Sequence, residues 1–112
     1  MIIHHNPRCS KSRQALALLK ANGVEPEVVE YLKTPLDEAA LRGLLTKLGL
    51  KAHDILRTKE DEYKQLGLSP DTPEEEILAA IVQHPILLER PIIVKGNRAI
   101  IGRPPENVRE LL

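Results

Sequence analysis

The only cysteine of the chain, Cys9, stands in Arg8-Cys9-Ser10-Lys11-Ser12-Arg13. A short apolar run precedes it and a helical spacing of apolar residues follows, so the thiol falls at a helix start. Positive charge and the helix N-terminus both favour thiolate and lower a thiol's pKa. A free cysteine is commonly a small buried hydrophobe. Here the polar, cationic neighbours favour a reactive group. His5, four residues earlier, offers a further cation or hydrogen-bond donor. Cys9-Ser10-Lys11-Ser12 is a C-x-x-S pattern, so a redox cycle at Cys9 needs a second sulfur from outside the chain, glutathione for example. A phosphatase-type loop requires an arginine at position 15, which is Ala15. A cysteine protease requires a partner histidine; His53 and His84 are present, but no protease signature surrounds Cys9.

Three arginines stand beside turn-forming residues or at a helix edge. Arg57 follows Ile55-Leu56, Arg90 precedes Pro91, and Arg103 lies between Gly102 and Pro104-Pro105. A guanidinium is a rigid, permanently charged fork suited to tetrahedral oxyanions. The ordinary alternative for any one of them is a solvated surface arginine. Pro91 opens a strand, a position where a cis bond is an option for X-Pro. His4, His5, His53 and His84 show no metal-ligand spacing, so no metal site is expected.

These residues need elements to place them. Ile2-Ile3 opens a strand that Asn6-Pro7 stops. Ser10 or Ser12 can cap a helix running to about Asn22, with Ala15, Leu16 and Leu19 as its apolar stripe and Gly23 beyond its end. Val24 to Tyr31 reads as a second strand, with Pro26 marking an edge or a strand start. Thr34-Pro35-Leu36-Asp37 predicts a helix with Thr34 as N-cap and Pro35 in the first position, ending at Gly49. One or two short helices follow over residues 52–66. Thr72-Pro73-Glu74-Glu75 repeats the start signal for a helix reaching Gln83. Pro91 to Lys95 and Arg98 to Gly102 flank Gly96-Asn97 as a β-hairpin. Pro104-Pro105 opens a last helix. The order is β-α-β, several helices, then β-β-α. This is an α/β, thioredoxin-like arrangement with a helical insertion, about residues 35–84, between the βαβ and ββα halves of one domain spanning residues 1–112.

Composition narrows the possible functions. Sixteen basic residues balance sixteen acidic ones in 112 residues, and Phe and Trp are absent with two Tyr. Neither the charge surplus nor the aromatic platforms of a nucleic-acid binder are present. No apolar run reaches the ~18 residues of a membrane span, and Met1-Ile2-Ile3-His4-His5 does not read as a signal peptide. The expected setting is the cytoplasm, with no nucleic-acid partner and no membrane. One cysteine excludes an internal disulfide and fits a reducing compartment.

The motifs resemble the ArsC-type arsenate reductases coupled to glutathione and glutaredoxin. The resemblance runs through His5-Asn6-Pro7-Arg8-Cys9-Ser10-Lys11-Ser12-Arg13, Tyr31-Leu32-Lys33-Thr34-Pro35, Leu56-Arg57 and Tyr63-Lys64-Gln65-Leu66-Gly67-Leu68. It continues through His84-Pro85-Ile86-Leu87-Leu88-Glu89-Arg90-Pro91 and Ile101-Gly102-Arg103-Pro104-Pro105-Glu106. It implies that Cys9 is the nucleophile, that His5 helps to stabilise its thiolate, and that Arg57, Arg90 and Arg103 bind the oxyanion. It further implies that Asn6, Ser12 and Pro91 support the site and that the Arg90-Pro91 bond is cis. It implies arsenate as substrate, glutathione as co-substrate, glutaredoxin as partner and no bound cofactor. The best-known members carry Gly-Thr between the cysteine and serine, whereas this chain has Ser10-Lys11. Two other readings remain open. One is a monothiol oxidoreductase of the same fold with another substrate. The other is a regulatory binding protein without turnover, like the Spx-type branch.

Overall fold

A computed structural model describes all residues from 1 to 112. The chain divides into two compact units, one formed by Met1–Thr34 with Arg90–Leu112 and the other by Pro35–Glu89.

The first unit is a four-stranded sheet in the order β2-β1-β3-β4. Strand β1 (Ile2–His5) pairs in parallel with β2 (Glu27–Glu30), and helix α1 (Ser10–Ala21) connects them. Strand β3 (Ile92–Lys95) runs antiparallel to β1 and to β4 (Arg98–Ile101). A β-α-β half and a β-β half therefore share one sheet, which is the thioredoxin-like arrangement expected. Alternation along a strand gives Ile3 and His5 one face and Ile2 and His4 the other. On the Ile3 side, Ala15 and Leu19 of α1 meet Ile93, Val108 and Leu111 in a wholly aliphatic core. Truncating a buried leucine such as Leu19 in such a core costs about 2–5 kcal/mol.

Two glycines are required by the backbone here. Gly96 has φ of 61° at the first of two hairpin positions, as in a type II′ turn. Gly102 has no room for a side chain: a Cβ there stands 2.8 Å from Pro91 Cγ and 3.0 Å from Ile93 Cδ1. Both Arg90-Pro91 and Arg103-Pro104 are cis.

The second unit holds α2 (Glu38–Leu48), a 3-10 turn at Ala52–Ile55, α3 (Asp61–Gln65), α4 (Glu74–Gln83) and a 3-10 turn at Pro85–Leu87. An isolated antiparallel bridge joins Leu56 to Leu88.

Two helix starts of the second unit and the type of the last helix differ from the sequence expectation. Helix α2 is capped by Asp37, whose carboxylate accepts the Ala40 N–H at 2.7 Å. An aspartate one turn inside the Thr-Pro signal is an equally good cap, and it sits directly before the apolar stripe. Helix α4 begins at Glu74 with Pro73 at the cap. Thr72 instead receives the Ser69 N–H at 2.9 Å, closing the preceding turn. The C-terminal segment Pro105–Leu111 is 3-10 rather than α-helical.

Candidate functional site

The loop from β1 to α1 is built by its own hydrogen bonds. The Cys9 N–H donates to the Asn6 carbonyl at 3.0 Å, and the Arg13 N–H donates to the Cys9 carbonyl at 3.0 Å. Cys9 is thus the extended N-cap residue of α1, with its thiol at the helix start. The side chain of Asn6, itself buried, accepts the Arg8 N–H at 3.0 Å. Arg13 reaches back to the Pro7 carbonyl at 2.9 Å. Ser12, expected as a possible cap, is fully buried and turned toward β1. Its hydroxyl accepts the Asn6 N–H at 3.1 Å and lies 2.6 Å from His5 Nδ1.

Cys9 is half-buried, and it is the chain's only free thiol. Burial pushes its pKa up. The backbone N–H of Ser12, the Arg90 guanidinium and the backbone N–H of Lys11 more than offset this and hold it below the ordinary thiol range. His5 is shifted the other way from a cationic role. Burial lowers its pKa, the Glu30 carboxylate opposes that, and Arg13 and Lys20 reinforce it. The register explains the Glu30 effect, since His5 and Glu30 are paired across β1 and β2. The lowered pKa favours the neutral form of His5, whose ring is hydrogen-bonded to Ser12, and Arg90 is the cation that acts on the thiol.

Arg90 precedes the cis proline at the entry to β3. Its Nε and Nη1 are buried and have no hydrogen-bond partner. The groups that act on its guanidinium, beyond burial, are the Tyr31 hydroxyl and the Cys9 thiol. Arg103 donates from Nη1 to the Arg90 carbonyl at 3.2 Å, tying the exit of β4 to the entry of β3. The first unit thus brings together Cys9, His5, Asn6, Ser12, Arg90, Pro91 and Arg103. Arg57 belongs to the helical unit. Its Nε meets Glu60 at 3.0 Å and its Nη1 meets Glu89 at 3.2 Å.

One residue of the site had no role in the reading of the residues. Tyr31, fully buried at the end of β2, interacts with Arg90. In the sequence Tyr31 stands out only as one of two aromatics and as the first residue of the motif Tyr31-Leu32-Lys33-Thr34-Pro35, neither of which gives it a role. A cluster able to hold a metal ion is absent. No helix is long and apolar enough to cross a membrane.

Comparison with known proteins agrees with this fold. The pattern of the ArsC family matches residues 4–111. A Neisseria meningitidis protein called arsenate reductase is 50% identical over 98% of this chain and 96% of its own length. An Escherichia coli K12 protein called uncharacterized protein YfgD is 56% identical over 98% of this chain and 94% of its own. The solved structure of an arsenate reductase from Vibrio cholerae superposes with a TM-score of 0.96 at 44% identity, over 99% of this chain and 96% of that one. The family match over residues 4–111, together with relatives about half identical and aligned over nearly their whole length, places the chain in the ArsC family.

Proposed function

We propose that the protein is an arsenate reductase that uses Cys9 as its nucleophile and takes reducing equivalents from glutathione and glutaredoxin. The observation that carries this reading is the pairing of a stabilised thiolate with Arg90, two of whose buried N–H groups have no protein acceptor. An unsatisfied buried donor costs about 1–3 kcal/mol, and an incoming oxyanion satisfies it. The names of the relatives from Neisseria meningitidis and Vibrio cholerae support arsenate as that oxyanion.

The chemistry follows from one thiolate and one outside thiol. The Cys9 sulfur attacks arsenic, forms an S–As bond and displaces hydroxide, which leaves as water after protonation. Arg90 and Arg103, and by family resemblance Arg57, bind the charged oxygens. A glutathione thiolate then attacks the Cys9 sulfur. The S–As electron pair goes to arsenic, which falls from As(V) to As(III) and leaves as arsenite. The two sulfurs, oxidised together by two electrons, remain as a mixed disulfide. A glutaredoxin thiolate attacks the glutathione sulfur of that disulfide and releases the Cys9 thiolate.

The coupling is tested by omission. Arsenite formation is expected to stop when either glutathione or glutaredoxin is withheld. Full turnover with thioredoxin and its reductase alone overturns the glutathione route.

A further inference from the structure

A cleft of about 260 Å³ opens on the same loop that carries Cys9. One wall is Asn6-Pro7-Arg8, the turn whose Asn6 carbonyl holds the Cys9 N–H. The rest of the lining is His5, at the end of β1, with Glu30, Leu32 and Lys33, at and beyond the end of β2. Leu32 is among the exposed large apolar residues of the chain. Glu30 and Lys33 stand 3.5 Å apart, with side chains 39% and 79% exposed, so they form a weak pair that a ligand can replace.

This lining does not suit a small oxyanion. The Glu30 carboxylate repels one, and the volume exceeds what a tetrahedral anion fills. It suits a small molecule of both charges with an apolar stem: an ammonium for Glu30, carboxylates for Lys33 and Arg8, and a methylene chain against Pro7 and Leu32. A chain with one cysteine needs an external thiol at Cys9, and the cleft shares its wall with that residue's turn. Resting on the reading of Cys9 as a thiol nucleophile that exchanges with glutathione, we propose that this cleft is the docking site of the zwitterionic thiol co-substrate, with Glu30 taking its ammonium and Lys33 a carboxylate.

The test reads docking without arsenate. The Cys9 thiolate attacks a disulfide, forms a mixed disulfide and expels a thiolate, so the rate is measurable with oxidised glutathione and with uncharged 2-hydroxyethyl disulfide. Glu30→Gln and Lys33→Gln are each expected to slow the glutathione reaction about tenfold, the effect of one lost charge-assisted contact. The 2-hydroxyethyl disulfide rate is expected to stay unchanged. Loss of the Glu30 charge leaves His5 neutral, because that charge opposes the lowering of the His5 pKa. Unchanged glutathione rates overturn the proposal. Equal slowing with both disulfides also overturns it, because the variants then act on the thiolate and not on docking. Charge-dependent selectivity in a protein that does not turn over arsenate leaves the cleft standing and removes arsenate as substrate.

Discussion

His5 Nδ1 lies 2.6 Å from Ser12 Oγ, and that hydroxyl also accepts the Asn6 N–H at 3.1 Å. All three residues are buried. The contact locks the last residue of β1 to the first turn of α1, and the Cys9 turn is held between them. Ser12→Ala leaves the Asn6 donor and the imidazole nitrogen without a partner. The expected loss is about 1–3 kcal/mol. Thermal unfolding checks it as a Tm lowered by several degrees, with the Cys9 alkylation rate reporting the looser turn.

The same imidazole makes stability depend on pH. Its folded pKa is lowered, with burial the largest cause. The unfolded state therefore binds the extra proton first, below about pH 6.5. The His5 contribution is fully present above that pH and is lost as pH falls toward the folded pKa. In urea titrations, wild type is expected to lose more stability between pH 7 and pH 5 than His5→Gln, whose amide can still bond Ser12. Equal losses in the two proteins contradict a buried neutral His5.

Burial raises the Cys9 pKa, and the Ser12 N–H, the Arg90 guanidinium and the Lys11 N–H together lower it, so Arg90 is the one side chain that favours the thiolate. Cys9 alkylation plotted against pH is expected to have a midpoint below the ordinary thiol range of about 8.5. Arg90→Gln is expected to raise that midpoint and to lower kcat/KM for arsenate about 10–100-fold, the value of one charge-assisted contact. Arg103→Ala removes the bond to the Arg90 carbonyl. Arg57→Ala removes a guanidinium held by Glu60 and Glu89. Both are expected to raise KM for arsenate about tenfold with little change in the Cys9 midpoint, which separates oxyanion binding from thiol activation.

Gly102 is tied to the cis proline by contact. A methyl group there meets Pro91 Cγ at 2.8 Å and Ile93 Cδ1 at 3.0 Å, so the strand or the proline must move. Gly102→Ala is expected to cost about 1–3 kcal/mol, as overpacking does. Thermal unfolding and arsenate KM checked together show whether the shift reaches Arg90.

Much of this architecture was legible because it rests on local chemistry. The cationic neighbours of Cys9, the Ala15 and Leu19 stripe and the Gly96-Asn97 hairpin are readable from adjacent residues. The arginines at 90 and 103 were visible as side chains fixed beside proline and glycine. What escaped depends on distant pairing. Ser12 reads as a cap until β1 places His5 and Asn6 against it. The contact of Tyr31 with Arg90 exists only once β2 and β3 flank β1. The start of α2 was blurred because Thr34-Pro35 and Asp37 both satisfy capping chemistry and the bond from the Ala40 N–H decides for Asp37, whereas Thr72 caps no helix because it closes the turn at Ser69.

Comparison of wild type with Cys9→Ser tests the central claim most directly. The assay is NADPH consumption in the presence of arsenate, glutathione, glutaredoxin and glutathione reductase. Arsenate-dependent consumption by wild type that falls to background in Cys9→Ser is the predicted result. Equal consumption by both proteins contradicts Cys9 as nucleophile. No arsenate-dependent consumption by wild type, with Cys9 still alkylating rapidly at neutral pH, contradicts arsenate as the substrate.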